Sequence, residues 1–202
     1  MTETTDLPRA AATRARLLDA AVSAFAERGF HATTTRDIAA AAGMSPAALY
    51  VHHQSKEELL YLIARSGHER TLALVRDGLV GSEDPVKQLV SVVRRFAIDH
   101  ARGHTVARVV NYELAALSPE HFEEIRQIRQ EIDHEVRRLV ESGMAAGVFQ
   151  VRDAGMTTLA LLSLGIDIAR WYRDEGTWTP EDIGDHYAEL ALRIVGVDLS
   201  SL

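Results

Sequence analysis

Between Thr34 and Leu60 two short helix signals stand on either side of one glycine, and few folds accommodate that spacing. Thr34 suits an N-cap, and Asp37 three residues on completes a start of the capping-box kind. Ile38, Ala39 and Ala42 set a small apolar stripe on the helix that follows. Gly43 can take the left-handed conformation of a helix stop, and Met44 is placed to plug the turn. Ser45 caps a second helix, with Pro46 at a first position that needs no amide hydrogen. Leu49 is its apolar anchor, and Pro46, Ala47, Ala48, Tyr50 and Val51 lie around the rest. Helix, glycine turn, helix is the unit that lays its second helix in the DNA major groove. The same pattern also occurs as an ordinary hairpin inside a helical bundle.

The surroundings bear on that choice. From Thr13 to Arg28, Leu17, Leu18, Ala21, Val22 and Phe25 recur at helical spacing, and Gly29 ends the helix with Phe30 placed to pack back. Ser55 caps a further helix with Lys56, Glu57 and Glu58 in its first turn. The glutamates suit the positive end of a helix and the lysine does not, so a DNA phosphate is the natural recipient for Lys56. Gly29, Phe30, Thr34, Ile38, Ala39, Ala42, Gly43, Ser45, Leu49, Tyr50, His52, Ser55, Lys56 and Leu59 stand in the order and spacing that resemble the TetR family of bacterial transcriptional regulators. That resemblance covers the first third of the chain. It departs at His53, where the family usually has Phe, so this ring must either bury neutral or face outward. The resemblance implies the same phosphate contact for Lys56. The residues expected on DNA are Arg14, Thr34, Thr35, Arg36, Ser45, Pro46, Ala47, Ala48, Tyr50, His52 and Lys56.

The rest of the chain reads as helix throughout, with no strand alternation and no repeat. Residues 1 to about 8 read as a disordered arm, and Arg9, Arg14 and Arg16 follow where a phosphate backbone or minor groove would be met. The fourth helix is expected to run to about Asp77, before the break of residues 78–84. Helices are expected from Pro85 to a break at Gly103, from Thr105 to Leu117, from Ser118 to near Gly147, from Asp153 to a stop at Gly176, and from Thr179 onward. The fold class is therefore all-α, with about nine helices. Residues 1–54 form an N-terminal arm and three-helix DNA-binding head, and residues 55–202 a larger helical domain for ligand binding and dimerisation. A chain of 202 residues suits a small unit joined to a larger one. The formal charge of -7 sits oddly with DNA, but residues 1–60 hold only 7 of the 29 Asp+Glu against 6 of the 22 Lys+Arg. The acid is concentrated away from the head, which disfavours indiscriminate nucleic-acid binding and permits a local contact.

The absence of cysteine removes disulfides, thiolate catalysis and Cys-type zinc. No membrane span or signal-peptide core is visible, so a cytoplasmic protein with no membrane partner is expected. No nucleophile elbow, phosphate loop or dinucleotide fingerprint appears, and neither an enzyme nor a cofactor is expected. His100 and His104 have the spacing of a metal pair on a helix, but Gly103 interrupts them and no third ligand is evident. The eighth helix is apolar on nearly all sides and needs a second covering surface, read as a second copy of the chain. The family resemblance implies dimerisation by the last two helices. Leu161, Leu164, Ala169, Tyr187, Leu190 and Ile194 are the candidate interface, with Ala160, Gly165 and Ala169 allowing close approach.

Polar residues interrupting apolar helices mark candidate ligand contacts: Arg108, Asn111 and Tyr112 on the sixth, Asp167, Arg170 and Trp171 on the eighth. Each also fits a structural ion pair or surface group. The segments NYELAALSPEH and IARWYRDEG look similar to those of TetR-type regulators of lipid and steroid breakdown, which respond to acyl-CoA thioesters. Together these readings describe a homodimeric, ligand-released regulator, most simply a repressor, on a pseudo-palindromic double-stranded DNA operator, with a small apolar or acyl-CoA-type effector. A helical carrier or enzyme using the helix-turn-helix as scaffold is the alternative.

Overall fold

The computed structural model describes residues 6–198, with side chains from Ala10 onward. Among the described residues there are nine α-helices and no strand: α1 (Asp6–Arg28), α2 (Thr35–Ala41), α3 (Pro46–His52), α4 (Lys56–Leu79), α5 (Pro85–Arg102), α6 (His104–Tyr112), α7 (Pro119–Ala145), α8 (Ala154–Trp171) and α9 (Pro180–Ile194). A short 3-10 turn, Leu114–Ala116, follows α6. Of the expected N-terminal arm, residues 1–5 lie outside the described residues, and residues 6–8 belong to α1. The sixth helix ends at Tyr112 rather than Leu117, because the chain tightens into the 3-10 turn before Ser118 caps α7. The eighth ends at Trp171 rather than near Gly176, because Tyr172 leaves helical geometry and turns its ring into the core.

Two large apolar clusters organise the chain. In the first, Leu17, Ala21 and Phe25 of α1 meet Ile38 and Ala39 of α2, Leu49 of α3, and Leu59, Leu60 and Ile63 of α4. Val109 and Val110 of α6 complete it, so the head is seated on the larger unit through α6. In the second, Leu72 and Val75 of α4 meet α5, α7, α8 and α9 through Leu89, Phe96, Val136, Leu161 and Leu192. Helix α4 thus belongs to both clusters, running from the head into the bundle.

The closeness of α8 to α5 rests on Gly165. A β-carbon there would lie 2.4 Å from the Phe96 ring. This corrects the expectation for that residue: the close approach is to the chain's own fifth helix. Ala169 is fully buried and Leu161 is 7% exposed within the same chain, so neither is free to meet a partner. The uncovered face of α8 carries Met156, Leu159, Ala160, Leu164 and Trp171 instead. Their positions recur every three or four residues, which puts them on one side of the helix.

Candidate functional site

Helices α2 and α3 are set by their caps. Thr34 and Asp37 exchange backbone-to-side-chain bonds at 2.9 and 3.2 Å, so two amides at the start of α2 are satisfied. Gly43 holds φ +67°, and the Met44 amide donates back to the Ala39 carbonyl at 2.8 Å, closing the turn. The Ser45 hydroxyl accepts from the Ala48 amide at 3.2 Å and starts α3. With Ile38, Ala39 and Leu49 buried, the opposite surface of α3 is left to solvent, and Pro46, Ala47, Tyr50 and Val51 stand exposed there. The hydroxyls of Thr35 and Tyr50 are 3.1 Å apart, which ties the start of α2 to the exposed side of α3. Arg14, Thr34, Arg36 and Ser45 are also exposed, while Ala48 and His52 are half-buried.

Lys56, expected to donate to a DNA phosphate, is engaged within the chain itself. Its ammonium donates to the carbonyls of Phe30 and Thr33, both at 2.8 Å, reaches that of His31 at 3.5 Å, and lies 4.3 Å from the centre of the Phe30 ring. An ammonium has three protons, and these carbonyls engage them, so Lys56 anchors the loop between α1 and α2 in this structure. Thr33 works on the same loop from within, its one hydroxyl proton shared between the Gly29 and Ala24 carbonyls at 2.8 and 3.1 Å. His53 takes the buried alternative. It is 3% exposed, neither ring nitrogen has a hydrogen-bond partner, and burial lowers its pKa.

The larger unit holds a partly open cavity of about 370 Å³ between α4, α5, α6, α7 and α8. Phe96, Val110, Ile132, Leu162 and Ile166 give it an apolar body. His68, Arg129 and Asn111 give it a polar wall. Arg129 Nη1 donates to His68 Nε2 at 3.1 Å and lies 3.4 Å from Asn111 Oδ1. His68 Nδ1 is 2.8 Å from the Ala64 carbonyl, so the neutral tautomer with its proton on Nδ1 satisfies both contacts. Burial lowers its pKa to about 4, which keeps it neutral at pH 7. His100 is likewise buried, its pKa lowered by desolvation, and Nδ1 faces the Phe96 carbonyl at 3.0 Å. His104 turns instead to the Ala101 carbonyl at 3.2 Å.

Of the six candidate ligand residues, Asn111 alone lines this cavity. Asp167 and Arg170 pair at 3.3 Å on the exposed side of α8, with the Tyr112 hydroxyl 3.5 Å from the same carboxylate. Trp171 packs edge-on against Trp178 outside it, and Arg108 is half-buried away from the lining. The polar breaks in α8 thus lie on its uncovered side, among the exposed apolar residues Leu164 and Trp171. Of the six candidate interface residues, Leu164 and Ile194 are exposed, Tyr187 and Leu190 are half-buried, and Leu161 and Ala169 are internal.

Sequence reasoning missed Arg129 and His68. A faint signal existed for Arg129: it follows Ile128 and precedes Ile132 by three, which puts it at the edge of the apolar stripe of α7.

Comparison with known proteins follows the same division. Residues 17–61 match the family model of bacterial regulatory proteins of the tetR family, and residues 82–195 match that of the tetracyclin repressor-like C-terminal domain. The HTH-type transcriptional repressor KstR2 of Mycobacterium tuberculosis is 30% identical over 183 residues, spanning 89% of this chain and 90% of its own. A solved bacterial regulatory protein of the tetR family from Rhodococcus RHA1 superposes with a TM-score of 0.87 at 41% identity, covering 92% of this chain and 98% of that one. AibR, solved with isovaleryl coenzyme A and operator DNA, shares the fold at TM-score 0.81 and 24% identity, over 88% of this chain and 97% of its own. KstR2 is a transcriptional repressor and the Rhodococcus protein a regulatory protein, and no described helix is long and apolar enough to cross a membrane.

Proposed function

Because this chain belongs to the TetR family of DNA-binding transcriptional regulators, we propose that it is a cytoplasmic homodimeric repressor released from its operator by a small effector held in the cavity. Residues 1–54 serve as the reading head and 55–202 as the effector and dimer unit. The head reads DNA through the exposed side of α3, with Thr35, Arg36 and Tyr50 beside Pro46, Ala47 and Ala48. These small apolar residues suit thymine methyls and cannot make bidentate base bonds, so sequence preference draws on the polar neighbours and on DNA shape. Arg14, Thr34, Ser45 and His52 contact the DNA backbone. Lys56 contributes by fixing the loop that carries Thr34.

The second copy covers Met156, Leu159, Leu164 and Trp171 on α8 and Ile194 on α9. Large apolar side chains lined along one helix face favour burial against a partner. Two-fold symmetry then matches two operator half-sites about 34 Å apart.

One observation carries the effector reading. Val110 of α6 lines the cavity and is also part of the apolar core of the head. Gly67 of α4 lies against it, with room for no β-carbon: one would sit 2.7 Å from a Val110 methyl. A molecule filling the cavity therefore presses on a helix that the head rests on. Release requires that the molecule bind better to an arrangement of α6 other than the DNA-bound one. The test needs no knowledge of the effector. Ala107→Phe places a ring in the cavity from α6. The expected result is a folded dimer with operator affinity reduced about tenfold or more, within the usual range of allosteric coupling. Unchanged affinity in a variant whose cavity is filled would refute the coupling.

A further inference from the structure

With the cavity taken as the effector site, its wall narrows the chemistry of what it accepts. Arg129 projects from α7 into an apolar chamber. Its two neighbours, His68 and Asn111, carry no charge there. Among the described residues no ion pair reaches it, and desolvation alone lowers its pKa. The other two arginines at the cavity are already paired. Arg70 donates to Asp99 at 2.9 Å, and Arg126 to Glu123 at 2.6 Å. Asp133, one turn beyond Arg129 on α7, also lines the cavity but forms no ion pair with Arg129, whose charge no acid supports. A half-buried guanidinium without a counter-anion is costly, and a ligand that brings the anion removes that cost. Its forked donors match a carboxylate in geometry as well as charge.

We propose that Arg129 receives the carboxylate of an apolar organic acid, whose chain or ring lies along Phe96, Val110, Ile132, Leu162 and Ile166. His68 and Asn111 position the guanidinium rather than touch the reacting charge, since both already bond to it on one side. The volume, about 370 Å³, lies near the lower end of small-molecule sites. It holds a medium chain or a small ring system, and it cannot take in a whole coenzyme A. The proposal rests on the effector reading of the cavity, and the experiment separates the two.

Octanoate, 1-octanol and octanoyl-coenzyme A are titrated by calorimetry into the full-length dimer, its Arg129→Met variant and its Arg129→Lys variant. Octanoate is expected to bind the parent at least tenfold more tightly than octanol, because only the acid makes charge-assisted bonds. Arg129→Met should bring the two within about threefold, and Arg129→Lys should retain part of the preference as a point charge. Equal binding of octanol and octanoate to the parent overturns the carboxylate and leaves the cavity as an apolar effector site. Binding of the coenzyme A thioester with none of the free acid does the same. Failure of all three probes to bind removes the effector reading and the carboxylate with it. Should Arg129→Met not fold, the parent's octanoate preference and the lysine variant decide the matter.

Discussion

Replacing His53 with Phe should stabilise this protein. The ring is 3% exposed, both nitrogens lack hydrogen-bond partners, and the nearest acid oxygen, on Glu58, is 3.9 Å from Nδ1. A buried polar group left unpaired costs about 1–3 kcal/mol, and Phe removes both polar atoms at nearly the same shape. Allowing for slight overpacking and for weak attraction to Glu58, a net gain of about 2 kcal/mol is expected. For a chain of this length that corresponds to about 4–8 °C in Tm. The pH dependence sharpens the test. Burial lowers the pKa of His53, so its folded pKa lies below the unfolded value. Stability is then complete above about pH 6.5 and is lost as pH falls toward the folded pKa. The Phe variant does not titrate, so its advantage over the parent should widen between pH 7 and pH 5. Thermal melts of both proteins at one dimer concentration, at each pH, measure this directly. An advantage that vanishes, or narrows on acidification, would show that His53 has a partner or that the site needs its charge.

His68 carries a larger acid sensitivity. With a folded pKa of about 4 against 6.5, protonation costs about 3 kcal/mol, lost as pH falls between those values, and His68→Gln should flatten the melting temperature over that window. Leu164→Glu, at a position 41% exposed, should give a folded monomer in light scattering, whereas Leu161→Glu, at 7%, should cost several kcal/mol and unfold the bundle; a folded dimer from Leu164→Glu would move the interface off α8. Lys56→Met should lower Tm through the loop of residues 30–33 while leaving the salt slope of DNA binding unchanged; a slope reduced by about one would restore the phosphate contact.

How far the sequence reaches depends on whether a feature is local. The head was legible because its determinants lie within four residues of one another: Thr34 with Asp37, Ser45 with Ala48, and Gly43 at its turn. The number and order of helices followed from the same local caps, at Asp84, Ser118, Asp153 and Thr179. What was not legible depends on helix rotation. Gly165 and Ala169 are expected from sequence to meet a second copy, and only packing shows that Phe96 of the chain's own α5 occupies the space over Gly165. The polar residues of α8 looked like pocket groups because the helix is apolar on so many sides, yet Asp167 and Arg170 lie on its open face. Arg129 was hidden for the opposite reason. It sits in a helix rich in surface Glu, Arg and Gln, and only its place at the edge of the apolar stripe, between Ile128 and Ile132, sets it apart from them. Lys56 shows a third limit, since its carbonyl partners are 23 to 26 residues away.

The central claim, that α3 reads DNA on behalf of a two-fold dimer, is tested most directly by selecting random double-stranded DNA on the purified full-length protein and sequencing what is retained. The account predicts one enriched pseudo-palindrome, with half-site centres one helical turn apart or a multiple of it, and a changed half-site when the selection is repeated with Ala48→Gln. Retained fragments with no shared motif, or the same motif from both proteins, would contradict it.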